Sequence, residues 1–155
     1  MQGKLDPENR LAWSWVGLCL TLAIHVTDEA LTGFLEFYNP TVSAIREQIP
    51  FLPIPTFQFE VWIAGLGLGI LILLGCSVFA FRRAGWMIPV AIILSGLMLL
   101  NGALHICGSL YFGQMIPGVY SSPLLMAAAG FLLYAASKAK KTWSQNRRCH
   151  PTVDR

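Results

Sequence analysis

The sequence predicts an all-α membrane protein: a bundle of four transmembrane helices with a proline-rich interfacial segment between the first and second. Three observations carry that reading. Of 155 residues, 55% are hydrophobic and only 12% are charged, about half the charged share of an ordinary soluble domain. Between Ala84 and Ser137 there is no Asp, Glu, Lys or Arg, a run far longer than the roughly 20 residues that cross one bilayer, so it holds two crossings. The basic residues fall instead in short clusters, Arg82-Arg83 and Lys138, Lys140 and Lys141, that close apolar stretches.

The elements follow in order. Residues 1–10 form a polar amino-terminal segment, and the first span covers 11–37, ending at Asn39-Pro40 because proline disfavours helix in the residue before it. Lys4 and Arg10 ahead of an apolar run resemble a signal peptide. His25-Val26-Thr27-Asp28-Glu29 stands where a small-residue cleavage site belongs, so the span is read as uncleaved. The following stretch, with Pro50, Pro53 and Pro55, is too proline-rich for a spanning helix, and with Phe51, Leu52, Ile54 and Phe57 it is too apolar for a free loop. It is expected to lie at the interface, with a short helix over 41–49. Span two covers 59–81, where Gly65, Gly67 and Gly69 offer a small-residue face for close helix approach. Span three covers 86–111 and span four 116–137. The basic tail, 138–155, is expected to be loose after Lys141.

Cytoplasmic flanks carry the excess of Lys and Arg. Both termini are therefore expected on the cytoplasmic side of the cell membrane, which leaves Arg46 alone outside. A soluble monomer, a collagen, a disordered tail protein, a zinc-finger module and a nucleic-acid reader are all excluded, the last because no basic face extends along any element. Cys19, Cys76 and Cys107 lie in apolar runs and Cys149 in the basic tail, so they read as thiols and not as a disulfide framework. Cys149-His150 is too short a constellation for a metal site.

An ionisable side chain inside a span costs about 2.5–3.5 kcal/mol, so each needs a partner, a wet cavity or a role. On span one, His25, Asp28, Glu29 and Glu36 fall at helical offsets and share a face with Ser14, Thr21 and Thr32. On span three, Asn101 and His105 are four apart and neighbours on one face, with Cys107 pointing elsewhere. Counted from the cytoplasmic ends at a rise of about 1.5 Å per residue, His25 and Glu29 lie roughly 21 and 27 Å up, Asn101 and His105 roughly 22 and 28 Å. The two pairs are level, with Glu60 near the same plane. A lone helical histidine is more often a packing residue, and carboxylates near a span's end, such as Glu36 and Glu60, more often reach water. The coincidence at one depth is what singles out His25, Asp28, Glu29, Asn101 and His105 as candidate catalytic residues.

With these residues in view, the body of the chain, roughly 11–137, resembles the HXXEE family of integral membrane proteins. Its signature resembles His25-Val26-Thr27-Asp28-Glu29, and its second block resembles Asn101 with His105, followed by Tyr111 and the turn Ile116-Pro117-Gly118. The resemblance implies an enzyme-like site whose reaction is not established. This chain departs at the fourth motif position, where Asp28 replaces the first glutamate and shortens the reach by one methylene.

Two chemistries fit the residues. His25, Glu29 and His105 suit a divalent metal such as zinc or iron, with Asp28 or Glu60 as fourth ligand or base, activating water against a bond in a lipid-like substrate. Without metal, the same carboxylates and histidines would shuttle protons, as an isomerase needs. A non-enzymatic lipid-binding or assembly protein stays open as an alternative, as does a proton or metal translocator. The expected partners are the lipid bilayer and a lipid-like small molecule, with no nucleic acid.

Overall fold

The structure is a computed structural model that describes residues 7–149; the outermost parts of the expected terminal segments, His150 included, lie outside the described residues. The chain folds into five helices: α1 (Pro7–Leu31), α2 (Phe34–Gln48), α3 (Phe59–Phe81), α4 (Met87–Phe112) and α5 (Ser122–Cys149). No strand occurs among the described residues. Four of the helices contain apolar spans of 23 to 26 residues, which at about 1.5 Å per residue gives roughly 35–39 Å, more than the hydrocarbon thickness of a bilayer.

The first expected span is not one helix. α1 stops at Leu31, and Gly33 takes a left-handed conformation (φ 76°, ψ 43°) from which α2 starts in a new direction. Only glycine adopts this conformation without a Cβ penalty, so the turn is written at Gly33 and not at Pro40. Pro40 lies inside α2, with its ring exposed. α2 therefore starts well before the short helix expected over 41–49. The proline-rich stretch behind it is held against α2 by side chains. Asn39 donates from Nδ2 to the Phe57 carbonyl (2.9 Å) and accepts from the Phe57 N–H at Oδ1 (3.1 Å), while the Tyr38 hydroxyl donates to the Pro55 carbonyl (3.1 Å).

α1 packs on α3 and α5, and α4 packs chiefly on α5. The buried core joins Leu11, Trp15, Leu18 and Cys19 of α1 to Met87 and Ala91 of α4 and Leu125, Ala129, Leu132 and Ala136 of α5. Alanines at the crossings let backbones approach closely, the packing mode of helices in lipid. Trp15 donates its indole N–H to the Leu73 carbonyl (2.8 Å), which ties α1 to α3. Outside this core, Leu71, Ile72, Ile93, Leu97, Leu100, Leu104 and Phe131 are exposed. Contiguous apolar surface of this kind belongs against lipid, and the protein is an all-α membrane protein.

Two differences concern the carboxy-terminal third. α5 begins at Ser122, after a turn, and not at residue 116. It also continues through the basic cluster to Cys149, so residues 142–149, expected to be loose, are helical, and the Trp143 ring lies against Gly85. Cys19, Cys76 and Cys107 are free thiols, as the apolar surroundings imply.

Candidate metal centre

The site forms where side chains of α1 and α4 meet across the bundle, both helices being packed on α5. His25 meets Asn101, and one turn further on Glu29 meets His105: Asn101 Nδ2 is 3.0 Å from His25 Nε2, and His105 Nε2 is 3.1 Å from Glu29 Oε1. His25 Nε2 lies 3.6 Å from the same Glu29 oxygen. All three ionisable side chains are buried, with His25 1%, Glu29 6% and His105 6% exposed. The two imidazoles sit edge to face with centroids 5.0 Å apart.

The turn between α4 and α5 closes the site from above. Gly113, left-handed at φ 66°, ends α4, and Ser109 Oγ receives the Ile116 N–H at 3.1 Å. The chain then passes Gly118 (φ 83°), whose carbonyl accepts the Ser122 hydroxyl at 2.7 Å. Ser121 follows at the mouth of α5. Its N–H and its hydroxyl both donate to Asp28 Oδ2, at 2.9 and 2.7 Å, and its Oγ is 2.8 Å from His25 Nδ1.

These bonds favour one tautomer of His25. Because the amide of Asn101 donates to Nε2, that nitrogen holds a lone pair and the ring proton sits on Nδ1. Nδ1–H donates to Ser121 Oγ, and the hydroxyl in turn donates to Asp28 Oδ2, so every bond in the chain has one donor and one acceptor. A carboxylate behind a histidine is the usual device for orienting a metal-ligating imidazole and raising its basicity.

The donor set fits a small divalent ion. His25, Glu29 and His105 each present one atom, all within 4.8 Å of one another. Bonds of about 2.0–2.1 Å in tetrahedral geometry separate ligand atoms by about 3.3–3.4 Å; the two separations from Glu29 Oε1, 3.1 and 3.6 Å, bracket that value, and the two imidazole nitrogens lie within 4.8 Å of each other. Beside Glu29 opens a cavity of about 230 Å³ walled by Phe34, Leu35, Phe59 and Trp62, with Glu36 at its edge. Phe34 stacks on Trp62 (5.7 Å) and reaches the His105 ring (6.0 Å), so the left-handed turn at Gly33 is what brings α2 over the site.

The structure thus brings His25, Asp28, Glu29, Asn101 and His105 together. Asp28 faces Ser121, on the Nδ1 side of His25, and Glu60 is exposed on α3. Glu36 is exposed and no longer shares the α1 face, because the helix breaks before it. Ser14 and Thr21 line a separate cavity, and Thr21 bonds back to the Gly17 carbonyl. Cys107 is exposed and apart from the cluster. Ser121 and the role of Gly118 were not read from the sequence. A serine just before Ser122-Pro123 marks a helix start, but nothing local ties it to residues more than 90 positions away.

Residues 15–133 match the family described as protein of unknown function with HXXEE motif. The chain belongs to the HXXEE family. No curated protein and no solved structure matches it. In this HXXEE protein the first and last motif residues, His25 and Glu29, are one turn apart and aim at one centre. The fourth position, here Asp28, points to the α4–α5 turn and reaches Ser121 with its shorter side chain.

Proposed function

We propose that this HXXEE protein is a membrane-embedded, metal-dependent enzyme of the cell membrane, with both termini cytoplasmic, that hydrolyses a bond in a lipid-like substrate. One observation carries the reading: two imidazole nitrogens and a carboxylate oxygen, all buried, converge from α1 and α4 with a serine and a carboxylate aligned behind one of them. A bound zinc or iron would supply Lewis acidity and a water that ionises near neutral pH. The protein's own groups do the rest. Asp28 and Ser121 hold His25 in the tautomer whose Nε2 lone pair points at the centre. Glu29 balances the charge of the ion. Asn101, whose Nδ2 lies beside His25 Nε2, would donate an amide hydrogen to an oxygen of the substrate. The aromatic cavity beside Glu29 accepts the apolar part of a lipid-like molecule and keeps bulk water away.

The direct 3.1 Å contact of His105 with Glu29 favours a second reading, in which this pair exchanges a proton with the substrate without metal, as an isomerase would. Elemental analysis of protein purified in mild detergent without chelator separates the two. The metal reading expects about one zinc or iron per chain, lost in His25→Ala and in Glu29→Gln with the helical fold retained. Wild-type protein without metal, and unable to take up added zinc, removes the metal centre and leaves the acid–base form. A packing role alone expects Glu29→Gln to change neither metal content nor melting, since the amide still hydrogen-bonds and no charge is buried.

A further inference from the structure

At the opposite end of the bundle, a second cavity of about 230 Å³ lies between the start of α4 and the late turns of α5. Gly85, Ile88, Pro89 and Ile92 form one wall, Lys140 and Trp143 the other. We infer that this groove is a binding site for an anionic phospholipid, a site separate from the metal centre and independent of its chemistry.

Charge decides the sign of the ligand. Lys140 is exposed and is the charged residue of the lining. Arg82 and Arg83 precede Gly85 in the turn from α3, and Lys141 follows Lys140 on α5. Between Glu60 and Asp154 the sequence has no Asp or Glu, so neither α4 nor α5, the two helices that wall the groove, carries a carboxylate. Basic pockets between transmembrane helices are where anionic headgroups bind.

Shape decides that the ligand has a tail. Ile88 and Ile92 are one turn apart and, with Pro89, carry the groove about 6 Å down α4, away from the basic end. One turn further, Gly96 leaves open space where a side chain would stand. A free phosphate would use the cationic end and leave this apolar floor unused. Trp143 sits at the mouth, where an amphipathic ring meets the headgroup region. Its ring rests on the backbone of Gly85, at a position where any side chain would collide with it, so the glycine shapes the mouth.

The test is native mass spectrometry of the full chain in mild detergent with equal phosphatidylglycerol and phosphatidylcholine. The wild type should retain phosphatidylglycerol preferentially. Lys140→Glu should reduce that preference at least about fivefold, the effect of one lysine at an anionic surface. Ile92→Trp, which plugs the floor, should reduce retention of the lipid while the charges stay. Lys138→Glu, with the same charge change outside the groove and its Nζ over the Tyr134 ring, should keep the preference. Should Lys140→Glu fail to fold, brominated phosphatidylglycerol serves as the readout. It should quench wild-type fluorescence more than that of Trp143→Phe, and brominated phosphatidylcholine should quench both alike. Equal retention of the two lipids, equal loss in Lys138→Glu and Lys140→Glu, indifference to Ile92→Trp, or equal quenching would each overturn the site.

Discussion

Gly118 lies so close to His105 that a methyl group on it would stand 2.9 Å from His105 Nδ1, and 2.9 Å from Glu29 Cγ as well. His105 Nδ1 is buried and has no hydrogen-bond partner among the described residues. The backbone of the α4–α5 turn is therefore in direct contact with the site. Gly118→Ala has two costs, a Cβ at φ 83° of roughly 1–3 kcal/mol and displacement of both side chains. It should lower the melting temperature and abolish metal uptake. Gly113→Ala, at φ 66° with nothing near its Cβ, incurs only the backbone strain and should keep the metal. Equal metal content in the two variants would show that Gly118 does not shape the site.

The Asp28–Ser121–His25 chain should act on the metal through His25 alone. Asp28→Asn and Ser121→Ala should each weaken zinc affinity about 10- to 100-fold, the usual effect of removing a partner behind a ligating histidine. In metal-free protein, nitrogen NMR should find the His25 proton on Nδ1. A proton on Nε2 would mean that Asn101 and Ser121 play other parts.

Metal binding requires neutral imidazoles and an ionised carboxylate, so protons compete with the ion. Affinity should be greatest on the alkaline side and fall as the pH drops from about 8 to about 5, measured by competition with a chelator of known affinity. Occupancy that holds constant across this range would point away from a histidine-based centre.

Topology gives a prediction that is independent of the site. Reporter fusions after residues 83 and 141 should report cytoplasm, and fusions near Glu47 and Gln114 the outside, because the basic clusters at Arg82-Arg83 and Lys138–Lys141 resist translocation. A cytoplasmic signal at Glu47 would invert or reduce the number of crossings.

The sequence by itself determined the four long helices and the level placing of the candidate site's residues, because both rest on short-range periodicity and on the high cost of polar groups in lipid. The level depths of His25 with Asn101 and of Glu29 with His105 followed from counting residues along helices that start at basic clusters, and the contacts at 3.0 and 3.1 Å have that register. Tertiary structure alone decided three things. The break fell at Gly33 and not at Pro40, since a left-handed turn ends a helix in one residue, while a proline can sit on an exposed helix face. Asp28 turned to the α4–α5 turn and away from the Glu29–His105 pair, because Ser121, 93 residues away, supplies two donors to it. Gly118 became the lid over His105, a role set by a backbone's approach to a ring across the bundle and written in no local pattern of the chain.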